Sequence, residues 1–192
     1  MHWAKVDKRS LFAIIAGMNL WLLTNTTYGT WLPGDHKWSY TDVTGTMKLT
    51  APQPRLAEHA RALCKTAPVH LSKPQAEAAL TQLLETCQYR GWTLHAGAVM
   101  HNHFHLIVGD PSETAPKKIF NDLKAYTSRV LNARYNPGER RKWWTRDGSP
   151  RLLPNERAYL SARGYVLERQ PNPLVIYDGV AMIMPQASNQ SP

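Results

Sequence analysis

The chain has 192 residues, a formal net charge of +9, a sequence pI near 9.7 and 43% hydrophobic residues. That apolar fraction excludes a disordered polyelectrolyte. No run approaches the roughly 18 apolar residues of a spanning helix, and the two cysteines, Cys64 and Cys87, give neither a disulfide framework nor a metal-ligand spacing. The length fits one domain with extensions. The cationic surplus favours a polyanionic partner, nucleic acid or an acidic membrane face; a basic soluble protein without such a partner is the plain alternative.

Lys8-Arg9 followed by Leu11 to Ala16 faintly resembles a signal peptide, but its apolar core is short and no small-residue cleavage site follows. The first 17 residues read equally as an upstream extension, with Met18 as the functional start. Asn19 to Tyr28 predicts a strand: Leu20, Trp21, Leu22 and Leu23 lead into Thr24, Thr26 and Thr27, and Gly29 and Pro33-Gly34-Asp35 break it. Residues 34–56 are polar and rich in turn formers and predict a long loop, with a short helical piece over Leu56 to Leu63. Ser72-Lys73-Pro74-Gln75 is a helix start, a capping serine with proline in the first turn and Gln three residues on. Ala76, Ala79, Leu80, Leu83, Leu84 and Cys87 then form one buried face, and Gly91 stops the helix.

Trp92 to Val99 predicts a second strand and His103 to Val108 a third, after a tight connection at His101-Asn102. In Val99-Met100-His101-Asn102-His103-Phe104-His105, three of the eight histidines fall at every second position. A strand repeats every two residues, so these imidazoles share one face and Phe104, Leu106 and Val108 the other. Two neutral imidazoles on a rigid strand can chelate a divalent ion; a hydrogen-bonded polar rim is the simpler alternative.

A further helix should begin near Thr114-Ala115-Pro116, with Ile119, Phe120, Leu123, Val130 and Leu131 as its core stripe and Lys117, Asn121, Lys124 and Ser128 on a face that can meet phosphates. Residues 134–151 are basic and aromatic: Arg134, Tyr135, Arg140, Arg141, Lys142, Trp143, Trp144, Arg146 and Arg151. Cations neutralise phosphates, and tryptophans offer faces to unpaired bases; alternatively the two tryptophans are a hydrophobic lid and the arginines a solvated rim. Asn155 caps a last helix with Ala158, Ala162 and Val166 as a small-residue stripe, and Pro171 and Pro173 follow its end.

These blocks, in this order, resemble the HUH single-tyrosine transposases, and within them the REP-associated tyrosine transposases. His103-Phe104-His105 is the His-hydrophobic-His motif, with Val99-Met100-His101-Asn102-His103 as its lead-in. Thr26-Thr27-Tyr28-Gly29-Thr30-Trp31-Leu32-Pro33-Gly34 is similar to a first-strand signature, Leu123-Lys124-Ala125-Tyr126-Thr127-Ser128-Arg129 to the middle helix, and Trp143-Trp144-Thr145-Arg146-Asp147-Gly148-Ser149 to a basic connector. Gly164-Tyr165-Val166-Leu167-Glu168-Arg169-Gln170 is similar to the helix that bears the nucleophile.

The resemblance covers about residues 19–177, which it makes the catalytic domain, with residues 1–18 as an N-terminal extension and 178–192 as a C-terminal tail. It implies an α+β fold, a ferredoxin-like or RRM-like antiparallel sheet with helices packed on one face. It implies a cytoplasmic, nucleoid-associated bacterial enzyme, monomer or homodimer, that cuts and rejoins single-stranded DNA near hairpins, without a membrane or an organic cofactor. Tyr165 would attack the scissile phosphate, leaving a 5′-phosphotyrosine and a free 3′-OH; Tyr159 and Tyr126 are the competing tyrosines. Mg²⁺ or Mn²⁺ would be held by His103, His105 and a third ligand. The family's third ligand often stands four residues after the tyrosine, where this chain has Arg169, which cannot bind a cation. Gln170 comes first in its place and Glu168 second. Lys117, Lys124, Ser128, Arg140, Arg141, Lys142, Trp143, Trp144 and Arg146 would contact DNA. A domesticated protein that grips hairpin DNA without cutting is the alternative; a zinc hydrolase using His101, His103 and His105 is a third reading, and leaves the connector and the tyrosine helix unexplained.

Overall fold

The computed structural model describes residues 17–35, 39–42 and 47–184. Within them the chain runs β1 (Asn19–Thr26), β2 (Ser39–Asp42), β3 (Met47–Thr50), α1 (Pro54–Ala62), α2 (Lys73–Arg90), β4 (Thr93–Val99), β5 (His103–Asp110), α3 (Pro116–Tyr135), β6 (Ser149–Leu152), α4 (Glu156–Glu168), β7 (Val175–Tyr177) and β8 (Met182–Ile183). The signal-like segment at 11–16 lies outside the described residues.

The main sheet has six strands in the order β6-β1-β5-β4-β7-β8, each neighbouring pair antiparallel. Its first four strands with α2 and α3 make the βαββαβ arrangement in which β5 sits between β1 and β4. The fold class is the α+β antiparallel sheet expected. The sheet continues past residue 177, because β8 pairs with β7. Residues 34–56 are not one long loop. They contain the β2–β3 hairpin and the first turn of α1. The two short strands pair only with each other, so no core-facing alternation marked them in the sequence.

α2 carries the capping box at Ser72 and Gln75 and ends at Gly91, whose φ of 71° is the left-handed cap that glycine adopts at little cost. Its Ala76, Ala79, Leu80, Leu83 and Cys87 are fully buried. They pack with Leu23, Phe104, Leu106 and Val108 of the sheet and Ile119, Leu123 and Leu131 of α3. Val130, expected in the α3 stripe, is only half-buried. Burying one such leucine contributes roughly 2 kcal/mol.

A second core lies on the opposite face of the sheet. Leu20, Leu22, Ala96, Ala98, Met100 and Ile107 meet Tyr159, Ala162, Val166 and Leu167 of α4. Helices therefore do not all lie on one face: α2 and α3 cover one side and α4 the other. Small residues on both surfaces, Ala96 and Ala98 against Ala162, let this helix lie close to the strands. The pairing of β4 with β5 shifts register between Leu94 and Ala96, which turns both His95 and Ala96 toward α4.

Candidate active site and nucleic-acid surface

The β1–β5 register pairs Thr24 with His105 and Thr26 with His103. Alternation along β5 sends Phe104, Leu106 and Val108 into the α2–α3 core and His105 and Ile107 to the α4 side. The rings of His103 and His105 meet edge to face, with centroids 5.0 Å apart. His101 does not share this face: β5 begins at His103, and the His101 ring stacks on His70 at 5.5 Å. The three-histidine zinc reading loses a ligand accordingly.

Each of the two imidazoles is engaged through Nδ1. His103 Nδ1 lies 2.6 Å from Asn102 Oδ1, which can only accept, so that nitrogen carries the proton. His105 Nδ1 lies 2.7 Å from Thr24 Oγ1. Burial, with His103 second, pulls the His105 imidazole down to about 3, against a raising hydrogen bond from Gln170. His105 is thus neutral at physiological pH, as a metal ligand must be.

α4 begins where Asn155 Oδ1 accepts from Ala158 N at 2.9 Å. Its Ala162–Val166 stripe faces the sheet, and Tyr165 beside it reaches His105, phenol oxygen to Nε2 at 3.4 Å, rings 5.1 Å apart. Tyr165 is 39% exposed, whereas Tyr159 is buried against His95. Tyr126 faces the guanidinium of Arg129 at 4.9 Å. The helix ends at Glu168, so the chain turns back: Gln170 Nε2 donates to the Tyr165 carbonyl at 2.9 Å and its side chain also bears on His105. Glu168 is exposed, and among the described residues no group of three or more His, Cys, Asp or Glu comes together. Glu168 is therefore not grouped with the two histidines as a third ligand.

A cleft of about 690 Å³ opens in front of this cluster. His105, Tyr165, Arg151, Arg169 and Trp31 line it, with Thr24, Ser149 and Asp147. Sequence reasoning gave no site role to Thr24, Asn102 or Trp31, and placed Arg151 only among the phosphate-neutralising cations of the connector. Only strand register brings Thr24 and Arg151 to the histidines, whereas Asn102 could have been suspected from its place next to His103.

The basic connector forms a second concavity of about 470 Å³ with α3, lined by Lys124, Ser128, Arg129, Arg140, Arg141 and Lys142. Lys117 and Arg146 are exposed outside both clefts. Trp143 and Trp144, expected to stack bases, are 1% and 4% exposed and belong to the α2–α3 core. Trp144 meets Phe104 edge to face at 5.1 Å, and Trp143 Nε1 donates to Asn132 Oδ1 at 2.8 Å. Their large apolar area is worth more against the core than in water, so they anchor the connector. The aromatic rings here support cations: Arg141 lies 5.3 Å from the Trp143 ring centroid and Lys142 4.8 Å from that of Tyr28. Lys124 Nζ donates to the carbonyls of Thr145 and Arg146 at 3.2 and 2.5 Å, and burial lowers its proton affinity. Among the described residues no helix is long and apolar enough to cross a membrane.

Residues 55–147 match the family model described as Transposase IS200 like. That span includes His103, His105 and the connector through Asp147; Tyr165 and Gln170 lie beyond it. No curated protein matches the chain. Two solved structures are similar to it. One is a REP-associated tyrosine transposase bound to a REP hairpin, 10% identical, covering 86% of this chain and 70% of the other, TM-score 0.48. The other is a candidate transposase from Deinococcus radiodurans R1, 11% identical, covering 90% and 98%, TM-score 0.42. The family match takes in both histidines and the basic connector, and over residues 55–147 the chain is similar to IS200-like transposases.

Proposed function

We propose that this chain nicks and rejoins single-stranded DNA beside a folded hairpin, through a covalent bond between Tyr165 and a 5′ phosphate. The observation that carries the reading is the Tyr165 hydroxyl 3.4 Å from His105 Nε2, on the face where His103 and Gln170 also converge. Two imidazoles oriented through their Nδ1 atoms, with an amide beside them, fit a divalent cation such as Mn²⁺ or Mg²⁺, held by His103, His105 and Gln170. Such an ion, when bound, withdraws charge from the non-bridging oxygens of a phosphate.

The chain's own residues supply the rest. Arg151 and Arg169 offset the phosphate charge at the mouth of the cleft. The Tyr165 oxygen forms a bond to phosphorus as the bond to the 3′ oxygen breaks; the phenol proton passes to solvent, and the departing oxygen takes one up as a 3′-OH. A 3′-OH attacking the phosphotyrosine reverses the step and frees Tyr165. The phosphotyrosine conserves the ester's energy, so rejoining needs no nucleotide cofactor. The concavity between α3 and the connector receives the backbone of the hairpin stem through Arg129, Arg140, Arg141 and Lys142.

The test is a labelled hairpin oligonucleotide with randomised single-stranded flanks, incubated with protein and Mn²⁺ and resolved under denaturing conditions. A covalent protein–DNA adduct is expected, lost on adding EDTA and in Tyr165→Phe. An adduct that survives Tyr165→Phe overturns the assignment. A mobility shift with no adduct under any divalent ion favours the non-cleaving, hairpin-binding alternative.

A further inference from the structure

We infer that Trp31 is the platform on which an unpaired base of the DNA strand stacks, next to the phosphate that Tyr165 attacks. The inference deepens the proposed function by naming what the cleft recognises beyond phosphate. Among the described residues only two exposed large apolar side chains line this cleft, Tyr165 and Trp31, and Trp31 is 43% exposed. The remaining lining is largely polar or charged, including Thr24, Ser149, Arg151, Ser161 and Arg169. An indole 43% exposed in such surroundings offers apolar area to whatever enters the cleft.

The platform is held from both sides. Before it, Thr30 Oγ1 donates to the Thr27 carbonyl at 2.9 Å, and Gly29, at φ 75°, packs against Pro68 where a β-carbon would lie 3.1 Å from the Pro68 Cα. After it, Asp35 N donates to the Leu32 carbonyl at 3.1 Å and Gln53 N to the Gly34 carbonyl at 2.9 Å. An aromatic ring on a fixed turn loses little freedom when a base settles on it.

Charge and shape select the occupant. Arg151 and Arg169 make no ion pair among the described residues, and the single acid in the lining, Asp147, also faces Lys124. Two free guanidiniums beside an open indole suit an anionic backbone carrying flat, apolar bases. In a duplex the faces of the bases are already stacked on one another, so only an unpaired base can offer one to Trp31. Trp143 and Trp144 cannot serve, because both are buried.

The experiment uses the Tyr165→Phe protein without divalent ions, so that it reads binding whether or not the chain cuts DNA. Two probes of equal charge are compared at low salt: a ten-nucleotide oligothymidylate, and the same phosphodiester backbone made of abasic residues. Trp31→Ala should weaken oligothymidylate binding roughly five- to hundredfold, as removal of one stacking ring does, and leave the abasic strand within about twofold. Trp31→Phe should restore most of the loss. Equal losses on both probes, or no loss on oligothymidylate in Trp31→Ala, overturn the inference. A missing covalent adduct with this binding pattern intact refutes the cutting reading and leaves the platform standing.

Discussion

Thr24 Oγ1 lies 2.7 Å from His105 Nδ1, across the β1–β5 pairing and 81 residues away in sequence. The hydroxyl holds the imidazole with Nε2 toward Tyr165. Thr24→Val keeps the shape and removes the hydroxyl. Metal affinity, read by Mn²⁺ titration, and adduct formation should each fall about 10- to 100-fold, the usual effect of losing the partner behind a histidine ligand. The thermal midpoint should move little, since Thr24 is only partly buried. Wild-type Mn²⁺ affinity in Thr24→Val would show that this hydroxyl does not position the ligand.

Asn132 ties α3 to the connector. Its Oδ1 accepts from Trp143 Nε1 at 2.8 Å and from Arg141 N at 3.1 Å, and its Nδ2 donates to the Arg141 carbonyl at 3.3 Å. Asn132→Ala leaves a buried indole N–H unpaired and should cost about 1–3 kcal/mol by denaturant unfolding. Hairpin binding should weaken as well, because Arg141 loses its fixed backbone.

Arg140, Arg141 and Lys142 line one concavity with no acid in it. Replacing all three by alanine should weaken DNA binding without regard to sequence. It should also lower the slope of log K against log salt by roughly 2 to 3, near 0.7–0.9 for each phosphate no longer neutralised. An unchanged slope would mean that the DNA lies elsewhere.

His95 is buried with its Nε2 unpaired, and burial, with Arg163 second, draws its imidazole down from 6.5 to about 4. The folded state resists a proton that the unfolded state accepts, so the unfolded state binds more protons between those values. Stability should be flat above pH 7 and fall from about pH 6.5 toward pH 4, by up to a few kcal/mol. His95→Gln should flatten that slope in urea unfolding across this range. His105 contributes in the same direction and sets the residual slope.

Much of the architecture was legible from local pattern. The capping box at Ser72 and Gln75, the left-handed stop at Gly91, the Asn155 cap and the Ala162–Val166 stripe all act within a few residues, where periodicity and cap chemistry are sufficient. The β2–β3 hairpin was not legible, since its strands pair only with each other. The burial of Trp143 and Trp144 was hidden too, because a basic neighbourhood says nothing about which face of a ring meets a core assembled from α2, α3 and the sheet.

The amino-acid order alone determined that His103 and His105 project together from a strand and that Tyr165 stands on a short helix beside a packing stripe, because both follow from the repeat of one element. Tertiary structure decided that α4 lies across the sheet from α2 and α3, that its phenol meets an imidazole 60 residues away, and that Trp31 is the open ring while Trp143 and Trp144 are closed. Those outcomes depend on which surfaces bury each other, a competition among distant segments that no local period encodes.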